Sequence, residues 1–267
     1  GMPSIVKPAT STCYVTELAV RLMQESGALP EGSLQLIIGS TGDLFEHLEE
    51  QDVVTFTGSA STGRMLKAQP AIIENSVRFT MEADSLNAAI LGTDAGPGTE
   101  EFDLFVKEVA REMTVKAGQK CTAIRRIMVP QPHVDALIAA LSDRLAKVTI
   151  GDPRLEGTKM GALVSQSQRR DVLEKAALIG SEATRVFGDP DAFAVEGADA
   201  QKGAFVPPML FHCADPDAAT HVHDTEAFGP VSTIMPYRDT DHAIALLNKG
   251  KGSLVASIIT RDGKTAR

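Results

Sequence analysis

Short runs of apolar and β-branched residues alternate along this chain with longer stretches of helical periodicity, and that alternation constrains the fold more than any other feature. Residues 4–6 read as a short strand ending at Lys7-Pro8, and residues 12–26 carry Val15, Leu18, Ala19 and Leu22 on one helical face. A Gly-Ala-Leu-Pro-Glu-Gly turn follows, then a strand over 34–38, a short helix over 43–50 and a strand over 53–57. Parallel strands need long crossover connections, and the intervening helices supply them. The expected class is therefore α/β, with largely parallel sheets covered by helices.

The rhythm continues in the second half. Phe102, Phe105, Val106, Val109 and Met113 line one face of a helix expected over 102–117, which Gly118 would end by accepting a left-handed backbone. Residues 124–129 form a β-branched run closed by Pro130, and 133–148 read as a helix leading to the turn Gly151-Asp152-Pro153. Strands are expected over 209–211, 231–236 and 254–260, with a helix over 241–248. Between the two halves, 77–91 reads as two strand-like pieces flanking 82–86, and 93–100 as a loop. Two lobes are expected, residues 1–86 and 87–267, with no internal repeat.

Composition limits the partners. The 267 residues are 43% hydrophobic and 23% charged, which suits a globular chain with a substantial core. A net charge of -9, with no basic run longer than Arg125-Arg126 or Arg169-Arg170, argues against nucleic acid and against an anionic membrane surface. Cys13, Cys121 and Cys213 are odd in number and far apart, which suits neither a disulfide framework nor a zinc site. With no membrane-length apolar stretch and no signal pattern, a reducing, cytoplasmic setting is expected.

Three features carry chemistry. Cys121 lies in Gly118-Gln119-Lys120-Cys121-Thr122-Ala123, where helix gives way to strand. A free cysteine is usually a small buried hydrophobe, but its polar neighbours do not suit a sealed core, and the Lys120 ammonium would favour a thiolate. The second feature, Phe56-Thr57-Gly58-Ser59-Ala60-Ser61-Thr62-Gly63, runs from strand through glycine and serine into helix, where unpaired N–H groups favour an anion such as a pyrophosphate. It departs from the GxGxxG fingerprint, and taken alone such a turn is more often only a strand-to-helix connection with a serine cap. The third is a pair of carboxylates: Glu82, after an apolar run, and Glu226, ahead of Ala227-Phe228-Gly229-Pro230. Either one taken singly reads more readily as a solvated surface charge.

In this order, the motifs resemble those of the aldehyde dehydrogenase superfamily. The resemblance implies that Cys121 is the nucleophile and Glu82 the general base. It implies that Lys7 binds a cofactor ribose, that Gly58, Ser59 and Gly63 form the turn under the pyrophosphate, and that Glu226 and Phe228 hold the nicotinamide ribose. It also implies an aldehyde dehydrogenase-like α/β fold, with 1–86 a partial NAD(P)-binding lobe and 87–267 most of a catalytic lobe. Homo-oligomers are implied for full-length relatives.

The stretch Met81-Glu82-Ala83-Asp84-Ser85-Leu86-Asn87 departs from the glutamate-leucine-glycine-glycine-lysine of ordinary members. From Arg111-Glu112-Met113-Thr114 through Arg125-Arg126 the chain is similar instead to a branch acting on CoA-linked semialdehydes of aromatic-acid degradation. Thr10 stands where many NAD-preferring relatives carry a glutamate that would repel a 2′-phosphate, so NADP is expected to be accepted as well as NAD. By the family's pattern the upstream asparagine of the oxyanion hole is missing, and losing one such donor typically costs about 10²–10³ in rate. Two alternatives stay open on the residues alone: a cysteine-dependent thioesterase or acyltransferase, which needs a histidine base such as His221 or His223, and a non-catalytic fragment that retains the fold.

Overall fold

The computed structural model describes residues 2–266. The chain divides into two compact units after Asp84, two residues ahead of the expected boundary.

In the first unit β1 (Ser4–Val6) is followed by α1 (Cys13–Glu25) and β2 (Leu34–Leu36), and the two strands pair in parallel with Ser4 opposite Leu34. The expected helix over 43–50 is only a single 3-10 turn, Leu44–His47. Next come β3 (Val53–Gly58), α2 (Ala60–Lys67), α3 (Pro70–Glu74) and β4 (Arg78–Ala83), with β3 and β4 parallel and Thr57 opposite Glu82. Both pairs are helix-bridged crossovers, which is why their strands are parallel. The core of this unit is thin. On α1 it is Val20 that is buried, while Val15 and Leu22, expected to face a core, are 58% and 55% exposed.

The second unit is built on a sheet of six strands. Its elements in chain order are β5 (Ala88–Leu91), α4 (Glu100–Thr114), β6 (Arg126–Pro130), α5 (Val134–Leu145), α6 (Gln166–Gly180), β7 (Thr184–Phe187), β8 (Met209–His212), α7 (His221–Asp224), β9 (Val231–Tyr237), α8 (Thr240–Lys249) and β10 (Ala256–Ile259). The strand order is β10-β5-β6-β9-β8-β7. Every neighbouring pair is parallel except β7 with β8. Successive strand residues point to opposite faces. Leu91, Ile127, Val129 and Ile234 join the α4 and α5 side chains in one cluster, while Ala88, Ile90 and Met128 pack with Ala243 and Leu246 of α8. A third cluster sets Met209, Phe211 and Met235 against Val172, Ala176 and Ile179 of α6. Strands covered on both sides have no solvated face, which explains why β5, β6 and β9 are buried at every residue, Arg126, Ser232 and Thr233 included.

Two departures from expectation have local causes. Helix α4 starts on Thr99, whose Oγ1 accepts the Phe102 N–H at 3.2 Å, but it stops at Thr114 rather than 117. Lys116, Ala117 and Gly118 all adopt left-handed backbone, with φ of 53°, 51° and 69°. Helix α6 was not expected, because Gln166-Ser167-Gln168-Arg169-Arg170-Asp171 gives its first turns no apolar stripe. Its start is set by Ser165, which accepts the Gln168 N–H.

Candidate active site

Cys121 lies between the left-handed turn after α4 and the start of β6. The turn reverses the chain so closely against another segment that a Cβ at Gly118 would sit 2.2 Å from the Gly229 carbonyl oxygen. Only glycine satisfies both that approach and the positive φ. The loop then tightens on itself, with Lys120 N–H donating to Gly118 O and Ala123 N–H to Lys120 O, both at 3.0 Å. Cys121 is exposed, whereas Cys213 is buried and Cys13 is intermediate. Burial also pushes the Cys213 thiol up from its ordinary pKa, and of the three cysteines Cys121 is the most exposed. The polar neighbours that argued for exposure in the sequence do flank an exposed thiol.

Lys120 does not act as expected. Its Nζ donates to both carboxylate oxygens of Glu112, at 2.8 and 2.7 Å, so its charge is already compensated.

The loop is held from beneath by Asn87. Its Nδ2 donates to the carbonyls of Cys121 at 2.8 Å and Ala123 at 3.0 Å. Its Oδ1 accepts from Ser85 Oγ at 2.5 Å and from the Val255 N–H at 2.8 Å. An amide has two donors and two acceptor positions, and all four are in use on a residue that is 1% exposed. The backbone carbonyl of Asn87 also accepts the N–H groups of Arg125 and Arg126.

Glu226 reaches the same region of this unit. Its Oε2 accepts the Ser85 N–H at 3.0 Å, and its Oε1 lies 3.4 Å from Arg125 Nε. Arg125 also donates from Nη1 to Gly229 O at 2.6 Å and from Nη2 to Gly118 O at 2.8 Å, with its guanidinium 5.4 Å from the centre of the Phe228 ring. Burial pulls the Arg125 pKa down, and the Glu226 charge opposes that. Arg126 is fully buried, and it donates to Leu86 O and to Leu246 O and Leu247 O in the last turns of α8. Burial lowers it to about 10, which leaves it charged at neutral pH against the negative end of a helix. Cys121, Ser85 to Asn87 and Glu226 to Gly229 thus gather at the amino ends of β6, β5 and β9.

In the first unit the candidate residues lie at the carboxyl ends of parallel strands, where open α/β sheets bind ligands. Lys7 follows β1, exposed, with its Nζ 3.0 Å from Pro8 O, and Thr10 opens the turn before α1. Gly58 ends β3, Glu82 is the penultimate residue of β4, and Ser59 caps α2 by accepting the Thr62 N–H at 3.3 Å. Gly63 is buried because Met81 packs over it, with Sδ 2.3 Å from where a Cβ would be. The exposed Gly58–Ser59–Ser61 turn and the Lys7 ammonium suit the phosphate and hydroxyl groups of a dinucleotide, with one restraint. Asp84, itself at φ 29°, already takes the Ala60 N–H through Oδ1 at 3.0 Å, so one of the helix-start donors is committed to a carboxylate.

Sequence reasoning missed the roles of Asn87 and Arg125. The available signal was an arginine pair inside an apolar strand run, since a buried guanidinium needs dedicated partners. The structure also removes His223 as a base for Cys121. Its Nε2 donates to Pro216 O at 2.9 Å, and its Nδ1 lies 3.3 Å from Arg126 Nη1, so both ring nitrogens are engaged. His221 faces Asp224 at 3.7 Å.

The sequence profile of the aldehyde dehydrogenase family matches residues 1–267. The chain belongs to the aldehyde dehydrogenase family. Among curated relatives, a 3,4-dehydroadipyl-CoA semialdehyde dehydrogenase of Aromatoleum evansii is 49% identical over 263 residues, covering 98% of this chain and 51% of the relative. Among solved aldehyde dehydrogenases, a betaine aldehyde dehydrogenase of Staphylococcus aureus in complex with NAD+ superposes with a TM-score of 0.86 at 27% identity, over 99% of this chain and 52% of that one. An NAD-dependent enzyme of Sinorhizobium meliloti, at 24% identity and a TM-score of 0.84, shares the fold, over 99% of this chain and 50% of its own. The chain spans about half the length of the relatives it matches. Among the described residues, no group of three or more His, Cys, Asp or Glu is arranged to hold a metal ion, and no helix is long and apolar enough to cross a membrane.

Proposed function

We propose that this chain carries the nucleophile and cofactor-contacting residues of an NAD(P)-dependent dehydrogenase that oxidises a CoA-linked semialdehyde to the acid. The observation that carries the reading is an exposed cysteine on a loop held rigid by Asn87, beside the Glu226–Phe228 turn of the same unit. The CoA-linked substrate class rests on the 49% identity to the A. evansii enzyme.

In this reading the Cys121 thiolate attacks the aldehyde carbon and forms a tetrahedral thiohemiacetal. Among the described residues no protein acceptor takes the Cys121 N–H, which leaves it to donate to the developing oxyanion. A bound nicotinamide supplies the hydride acceptor. Loss of hydride leaves a thioester on Sγ, and Glu82 takes a proton from the water that hydrolyses it, releasing the acid and the thiol. Lys7 and Glu226 would hold the ribose hydroxyls of that cofactor, and the Gly58–Ser59 turn with Gly63 would take its pyrophosphate. Thr10 carries no charge to repel a 2′-phosphate, so NADP is accepted as well as NAD.

The test is formation of NADPH or NADH from a CoA-linked semialdehyde, with Cys121→Ala and Glu82→Gln variants alongside. Cys121→Ala is expected to abolish formation. Glu82→Gln is expected to leave a first-turnover burst while slowing steady turnover about 10²-fold or more. Cofactor reduction that survives in Cys121→Ala would sink the assignment.

A further inference from the structure

Arg125 is 4% exposed, and its guanidinium lies where three segments of the second unit converge. It reaches back to Gly118 O at the start of the nucleophile loop, across to Gly229 O, and through Nε to Glu226, while lying over Phe228. A buried ion pair is a weak source of stability, since well-packed apolar residues of similar volume often serve as well or better. Stability alone therefore gives little reason to place one here. The geometry does, because a planar fork with five donors can bind three acceptors in fixed directions, and lysine cannot.

We infer that Arg125 is a positioning residue for the oxidation. Its guanidinium sets the Glu226 carboxylate and the Cys121 loop at one spacing before any ligand arrives. The inference rests on the roles given above to Cys121 and Glu226, and it adds that their mutual placement depends on this one buried side chain.

The test uses the whole chain, as wild type, Arg125→Lys, Arg125→Met and the double variant Arg125→Met/Glu226→Gln. Two quantities are measured without turnover: the thermal midpoint, and the rate at which iodoacetamide alkylates Cys121, with Cys13 as reference, by mass spectrometry. Arg125→Met removes a buried cation 3.4 Å from the Glu226 carboxylate and is expected to lower the midpoint. The double variant also removes the carboxylate charge and is expected to recover most of the midpoint, yet to keep a Cys121 rate about fivefold or more away from wild type. Arg125→Lys retains the charge but not the fork, and is expected to show the same altered rate. A double variant with recovered midpoint and a Cys121 rate within about twofold of wild type overturns the inference. Should the double variant not fold, the Arg125→Lys rate decides by the same limits. Titration of wild type with NADPH, followed by cofactor fluorescence, is a separate arm. Absence of binding there counts against the cofactor reading and leaves the alkylation result to judge Arg125.

Discussion

Asn87 illustrates how much of a site can rest on a side chain that does not touch the reacting atoms. Its amide is satisfied on all four sides and ties the Cys121 and Ala123 carbonyls to Ser85 and Val255. Removing it leaves several buried groups unpaired, each costing about 1–3 kcal/mol. Asn87→Ala is expected to destabilise the chain by about 3 kcal/mol in urea unfolding. The near-isosteric Asn87→Asp keeps the two acceptor bonds but turns an oxygen toward the Cys121 and Ala123 carbonyls, so it should be no milder. An Asn87→Asp variant with an unchanged urea midpoint would count against this account. At this scale the polar neighbours of Cys121 left a local mark, whereas Glu82 and Glu226 were singled out by the resemblance of their motifs to those of the aldehyde dehydrogenase superfamily. Asn87 left none, and Arg125 only its place in an arginine pair, because most of their partners are distant: Cys121, Ala123 and Val255 lie 34, 36 and 168 residues from Asn87, and Glu226 and Gly229 lie 101 and 104 from Arg125.

Among the elements, the end of α4 matters most for the site. A helix running on to residue 117 would extend straight past the position where the chain has to turn beneath Gly229. The three left-handed residues 116–118 make that turn, and two of them are not glycine, which is costly for residues with a Cβ. Gly118→Ala adds the same backbone penalty to a close contact with the Gly229 carbonyl. It is expected to cost more than about 2 kcal/mol in urea unfolding and to alter Cys121 alkylation together with stability. A substitution at Gly98, also at positive φ but with nothing within 4 Å, is the comparison that isolates the contact. Helical periodicity identified α4, α5 and α8 well, because each has an apolar stripe on the core. It failed for α6, whose first turns are polar and whose buried face begins only at Val172.

For the molecule as a whole, two histidines, buried His223 and half-buried His212, set an acid limit. Burial lowers the pKa of His223, with Arg126 and Lys249 adding to the effect and the Pro216 carbonyl and Glu182 opposing it. Burial likewise lowers His212, with Asp135 opposing. Both groups stay neutral in the folded chain below the pH at which they protonate when unfolded, near 6.5. Their contribution is complete above that value and is lost as pH falls below it, because the unfolded chain then binds more protons. The thermal midpoint is expected to fall between about pH 7 and pH 5, and less steeply in His223→Gln. A midpoint flat over that range, or one that rises on acidification, would contradict it.

Read alone, the sequence determined the α/β class, most of the strands and helices of the second unit, and the residue types able to do thiol chemistry. These follow from periodicity and from the nature of single side chains, which are local properties. The tertiary structure decided that Lys120 is spent on Glu112, that His223 is locked between Arg126 and Pro216, and that Asn87 and Arg125 build the frame around Cys121. Those outcomes depend on which distant groups a fold brings within hydrogen-bonding distance, and a charge or amide is defined by the partners it finds there.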